Sequence, residues 1–334
     1  MIKKIFLLCT AVFSLSFFSC NKDKKPVKKG TVTIGFSIDS FVIERWQKDC
    51  DIFINTAKTK DAEIIFQHAG NDEKKQIQQI QNLIDMNVDA LVIVAKNGDS
   101  LSDVLMKAYD KNIPVISYDR LILNSPVSLY VSVNTKEVGK KISSYLESTI
   151  NPKSYVCILG SPDDFNMSLF SDGINSILPK SKILYNYFTP EWNYDLSYKK
   201  MNELLDSKII PEAIICGNDA VAEKVINSLR EHQSGNIPVF AQDSDIAACR
   251  RIAEGSQYGT VYKPIDSLAR TAAIYAVNLA KSSNPKEYLS DLERINNGYM
   301  DVPVIWLEPE IVTKENLENV IVKNSFHTYS EIFE

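Results

Sequence analysis

Strand-like and helix-like segments alternate along this chain almost without a break, and that alternation limits the fold more than any other feature. Residues 34–38 read as a strand and lead into a helix over 44–58. A strand at 63–67 precedes a helix at 72–86, whose Ile77, Ile80 and Ile84 share one face. Ala90-Leu91-Val92-Ile93-Val94 is an uninterrupted apolar run, as expected of a parallel strand covered on both sides. A helix at 100–111 and a strand at 114–118 follow. Several βαβ units in series predict a doubly wound sheet. Residues 129–133 then cross to a second lobe, where the pattern restarts with a helix at 135–147. Strands are expected at 155–159, 183–187, 213–216, 239–241 and 259–262, with helices between them, including 196–206 and 220–230. An alanine-rich helix at 267–281 comes late. Two α/β halves of similar size predict a bilobed molecule, although no sequence repeat links them.

The N-terminus reads as an address. Lys3 and Lys4 precede an apolar stretch, residues 5–18, that is short for a bilayer-spanning helix. Ser19 before Cys20 resembles the lipobox of bacterial lipoproteins. It predicts a signal peptide over 1–20, lipidation of Cys20 and a lysine-rich tether over 21–30. Phe17 stands where leucine is usual, which leaves an ordinary cleaved signal as the other reading. Roughly 300 residues remain, enough for one large or two medium domains. A net charge of −5 without a basic stripe argues against nucleic acid as a partner. The apolar and aromatic content argues against disorder. Cys50, Cys157, Cys216 and Cys249 form no CxxC pair and are read as unpaired thiols. His68, His232 and His327 share no metal-ligand spacing, so neither a metal nor a cofactor is expected.

Polar groups gather where strands run out, the place where open α/β sheets bind ligands. Arg45-Trp46 follows the first strand, and Tyr118-Asp119-Arg120 ends another. Asp163-Asp164-Phe165-Asn166, Trp192, Gly217-Asn218-Asp219, Gln242-Asp243-Ser244-Asp245 and Lys263-Pro264 follow later ones. Facing lobes would bring them to one cleft. Carboxylates that accept from hydroxyls, cations that donate to the same oxygens and indoles that cover C–H faces suit a neutral sugar. Each group also has a plainer reading. Asn218, Asp243 and Asp245 are good helix caps. Arg45 could form a surface ion pair with Glu44 or Asp49. Trp46 could be core, and Trp306, between Ile305 and Leu307, is assigned to packing. An acid/base pair of Asp164 and Asp243 is imaginable, but no nucleophile with a base accompanies it, so an enzyme is not expected.

The ordered set Glu44-Arg45-Trp46-Gln47-Lys48-Asp49, Tyr118-Asp119-Arg120, Gly160-Ser161-Pro162, Gly217-Asn218-Asp219-Ala220, Gln242-Asp243-Ser244-Asp245, Val261-Tyr262-Lys263-Pro264 and Asp301-Val302-Pro303 closely resembles the D-xylose-binding proteins of bacterial ABC importers, within the type I periplasmic sugar-binding family. The resemblance runs from about Thr31 to His327. It implies two doubly wound parallel-sheet lobes joined by a three-strand hinge. The expected N-terminal lobe is 31–134 plus 264–294, and the C-terminal lobe is 135–263 plus 295–334. It implies Arg45, Trp46, Arg120, Asp164, Asn166, Trp192, Asn218, Asp243 and Lys263 as sugar ligands. Phe165 and the loop around Thr189-Pro190-Glu191 depart from the family pattern near the cleft. The implied partners are a monosaccharide, D-xylose first, and an ABC permease. A membrane histidine kinase receiving the sugar signal is the alternative partner.

Overall fold

The computed structural model describes residues 30–41 and 45–334. The predicted signal peptide, Cys20 and nearly all of the predicted tether lie outside the described residues, as does Glu44. In chain order the strands are β1 (Val32–Ile38), β2 (Ala62–His68), β3 (Ala90–Val94), β4 (Val115–Tyr118), β5 (Leu129–Val133), β6 (Tyr155–Leu159), β7 (Ile183–Phe188), β8 (Ala213–Cys216), β9 (Val239–Phe240), β10 (Gly259–Tyr262), β11 (Arg294–Asn296), β12 (Asp301–Leu307) and β13 (Glu310–Thr313). They build a seven-stranded sheet in the order β11-β12-β5-β4-β3-β1-β2 and a six-stranded sheet in the order β13-β10-β9-β8-β6-β7. The pairs are parallel except β11–β12 and β10–β13, so each sheet is parallel with one antiparallel pair at an edge.

Central strands are apolar on both faces because helices cover both. β3, β5, β6 and β8 are buried along their whole length. The outer strand β7 is half exposed, as a sheet edge allows. Helices start on caps supplied by the preceding loops: the side chains of Asp72, Asn134, Asp164 and Asn218 each accept a backbone N–H of the first turn.

One expected boundary is corrected. The sequence reading places residues 295–334 in the second lobe, but β11 and β12 belong to the first sheet. The helix Ile265–Lys281 packs on the first lobe, against β1, β3, β5 and the helix Arg45–Lys58. The chain leaving it then fills the open edge beside β5, the nearest unpaired strand. Only the stretch from β13 onward returns to the second lobe. Among the described residues the chain therefore crosses between lobes three times, at residue 134, at 263–264 and at 308–309.

Candidate functional site

Arg45 and Trp46 open the helix Arg45–Lys58 and are both buried. A guanidinium taken out of water needs carboxylates, and two are in place. Arg45 Nη2 donates to Asp119 Oδ2 at 2.6 Å, and Nε lies 3.2 Å from Asp49 Oδ2, one helical turn away. The Tyr118 hydroxyl donates to Asp49 from the other side. Burial works against the Arg45 charge, but Asp119 and Asp49 outweigh it and raise its pKa. Burial pushes the Asp49 carboxyl up to about 7, against the pull of Arg45 and the Tyr118 bond. Burial also acts on Asp119, but Arg45, Lys263 and Arg120 bring its pKa below the ordinary carboxylate value.

Arg120 spans the gap between the lobes. Its Nη1 donates to Asp39 Oδ2 at 2.6 Å and to the Ala95 carbonyl at 3.0 Å, both in the first lobe. Its Nε lies 2.9 Å from Asp164 Oδ2, in the second. Burial opposes the Arg120 charge too, and Asp39 with Asp164 more than compensates. The same burial raises the Asp164 pKa, although Arg120 pulls the other way. Both guanidiniums lie over Trp46, with Arg45 Cζ 4.4 Å and Arg120 Cζ 5.7 Å from its ring centroid.

The second lobe supplies the facing wall. Asp164 caps the helix Phe165–Ile177 by accepting the Asn166 N–H at 3.0 Å. Asn166 Nδ2 reaches across to the Asp119 carbonyl and to Asp119 Oδ1, each at 3.0 Å. Lys263 Nζ lies 2.8 Å from Asp243 Oδ1. The Trp192 indole rests on Gly160, where an added Cβ would come within 2.1 Å of a ring carbon. Only glycine leaves room for the ring there. Five residues around this region hold left-handed φ: Asp119 (63°), Glu191 (52°), Trp192 (56°), Asp243 (105°) and Ser244 (57°). Such angles are costly outside glycine and persist where surrounding contacts over-determine them, often at ligand clamps.

These groups line one narrow gap between the lobes, with room for little more than a water molecule as the side chains stand. The walls are Arg45, Trp46, Asp119, Arg120, Asp164, Asn166, Met167, Trp192, Gln242, Asp243 and Lys263. Arg45 Nη1, Gln242 Oε1 and the indole nitrogens of Trp46 and Trp192 are buried and have no hydrogen-bond partner among the described residues. Buried donors and acceptors usually have partners, so unpartnered atoms of both kinds on the residues of one gap mark it as the candidate ligand site.

Eight of the nine residues named as ligands from the sequence therefore meet on one cavity. Asn218 is not among its walls. It caps the helix Asp219–Glu231, with Oδ1 accepting the Val221 N–H at 2.9 Å and Nδ2 donating to the Tyr194 hydroxyl at 3.3 Å. Trp46 is both wall and core, 1% exposed. Trp306 packs edge-on against Tyr130, in keeping with its assignment to packing. Sequence reasoning does not single out Asp119, Met167 or Gln242. Asp119 and Gln242 stand inside the recognised motifs beside named residues, and only their strand-end position marks them. Nothing local marks Met167.

Residues 34–284 match the family model described as a periplasmic binding protein domain. The D-xylose-binding periplasmic protein of Haemophilus influenzae is 37% identical, covering 98% of both chains. The D-xylose-binding periplasmic protein of Escherichia coli is 36% identical, covering 99% of both. Among solved structures, an ABC transporter solute-binding protein from Clostridium phytofermentans with bound β-D-glucose superposes with a TM-score of 0.82 at 26% identity. That match covers 90% of this chain and 99% of the other. The chain, a binding protein and not an enzyme, belongs to the periplasmic binding protein family and has the D-xylose-binding periplasmic proteins as full-length relatives.

Proposed function

We propose that this protein captures a monosaccharide, D-xylose first, between its lobes by hinge closure and delivers it to an ABC permease. One observation carries the reading: cations, carboxylates, amides and two indoles from both lobes line one interlobe gap, with a donor on Arg45 and an acceptor on Gln242 still unpartnered among the described residues. A sugar hydroxyl is donor and acceptor at once, and its bonds to ionised partners contribute about 1.5–3 kcal/mol each before the cost of dehydration. The names of the two full-length relatives support xylose over other monosaccharides. Closure adds the second lobe's contacts to those of the first, so the ligand shifts the population by its differential affinity. In this reading Arg45, Arg120, Asp164, Asn166, Asp243 and Lys263 are ligands, and Trp46 and Trp192 cover the ring. The mature chain is periplasmic or otherwise extracytoplasmic and tethered through a lipid on Cys20.

Isothermal titration with xylose, glucose, ribose and arabinose tests the binding step. Micromolar xylose binding with weaker binding of the others is expected, and no heat with any monosaccharide removes the reading. Mass spectrometry of the mature N-terminus tests the anchor: a diacylated Cys20 is expected, and an unmodified N-terminus overturns it. Presentation of the same sugar to a sensor kinase shares the binding step. Uptake of labelled xylose in a deletion strain separates the two, since loss of uptake is expected of an importer component and unchanged uptake of a sensor.

A further inference from the structure

One helix and one turn that meet the cavity are held from behind by one short stretch near the C-terminus. Phe326 packs into the second lobe with Tyr262, ring centroids 5.1 Å apart, and shares a core with Cys249, Ile252, Val312 and Ile332. Its carbonyl accepts from Lys48 Nζ at 2.6 Å, and that ammonium lies 4.3 Å from the Phe326 ring centroid. Lys48 belongs to the first lobe, three residues after Arg45 on the same helix. The next residue after Phe326, His327, donates from Nε2 to the Ser244 carbonyl at 2.8 Å. Ser244 follows Asp243, and both sit at left-handed φ. That turn is also held by Asp243 N–H on the Val261 carbonyl at 3.0 Å and Ser244 N–H on Thr260 Oγ1 at 3.2 Å.

We propose that Phe326 and His327 form a strap joining the Arg45 helix of one lobe to the Asp243 turn of the other, and that Lys48 and His327 are positioning residues for the sugar site. Neither is among the walls of the cavity. Lys48 ties the start of its helix to the opposite lobe, and His327 props a strained turn that would relax without it. The strap therefore holds the closed arrangement and slows ligand release. The inference rests on the sugar-binding reading for its effect on release, but its effect on the turn does not need a sugar.

The test uses the full mature chain. Stopped-flow tryptophan fluorescence with xylose measures release for Lys48→Met and His327→Ala, and for Lys48→Arg and His327→Gln as rescues. Hydrogen–deuterium exchange of residues 242–247 is followed in the same proteins without sugar. Faster release by about tenfold is expected for Lys48→Met and His327→Ala, the scale of one hydrogen bond. Ligand-free melting temperatures should stay near wild type. The Lys48→Arg and His327→Gln variants can still donate to the same carbonyls, so both should recover slow release. Exchange at 242–247 should rise in His327→Ala and recover in His327→Gln. Wild-type release and wild-type exchange in both disruptive variants overturn the strap. Absence of sugar binding by the wild type overturns the functional reading instead, while the exchange experiment still decides the strap.

Discussion

The two walls of the cleft are built on different principles. In the first lobe each arginine is pinned by carboxylates of its own lobe: Arg45 by Asp119 and Asp49, Arg120 by Asp39. In the second lobe, Asp164 and Asn166 direct bonds across the gap, to Arg120 and Asp119. Its own pair, Asp243 with Lys263, hangs on a turn at left-handed φ and on a segment between lobes. The first wall's arginines are paired within one lobe, and the second wall's bonds run to the other lobe. On the proposed reading, affinity then divides into a capture share from the first lobe and a closure share from the second.

Arg45→Met should give the largest effect. It removes ligand contacts and leaves Asp49 and Asp119 buried without their main counter-charge, a loss on the scale of about 3–5 kcal/mol. Titration calorimetry should find xylose binding weakened by about a hundredfold or more, with a lower melting temperature. An unaltered melting temperature would deny that the first wall is internally pinned.

Gly160→Val should come next. The added carbons drive into the Trp192 ring, so the indole must leave the wall. Titration should find affinity down about tenfold or more, and intrinsic fluorescence should report the displaced indole. Binding at wild-type strength would mean that Trp192 does not cover the sugar.

Asn166→Ala sharpens the comparison itself. It removes two bonds to Asp119 without touching the first wall's ion pairs. About tenfold weaker binding is expected, carried by faster release and a more open form in small-angle scattering. A loss carried only by slower association would assign Asn166 to capture.

The smallest effect concerns pH. Burial holds Asp49 up to about 7, and burial with Asp243 nearby does the same for Asp219 in the other lobe. The ordinary value is 3.8. Between about pH 4 and pH 7 the folded state keeps protons that the unfolded chain releases, so these groups' contribution to stability falls as pH rises through that window and is level above it. Asp49→Asn and Asp219→Asn should each flatten part of that slope in urea titrations. Asp49→Asn should also weaken xylose binding the more of the two, because Asp49 touches Arg45 directly whereas Asp219 reaches the site through the Asp243 turn.

Much of this architecture was legible because buried parallel strands announce themselves. Ala90–Val94, Tyr155–Leu159 and Ala213–Cys216 begin and end where their apolar runs do. Asp301–Leu307 escaped because it is two half-strands in one. Its first half pairs with β11, its second with β5, and Pro303 stands at the change of partner. Strand-end position brings eight of the named side chains to one cavity, Asp164 among them although it also caps a helix. Asn218 shows its limit, since both ends of its amide are engaged, by Val221 N–H and by the Tyr194 hydroxyl. Asp119 was hidden for another reason. Its role is set by Arg45, 74 positions away, and no local pattern encodes so distant a partner.

Lys263 occupies one of the three crossings, immediately before Pro264 and the helix Ile265–Lys281. A ligand that grips this ammonium grips the pivot, where a small torsion swings both distal rims. Occupancy and shape are then mechanically one variable, with no relay of residues between them. Lengthening this joint by a single glycine after Pro264 should leave a molecule that still holds its sugar but no longer signals the fact by its outline.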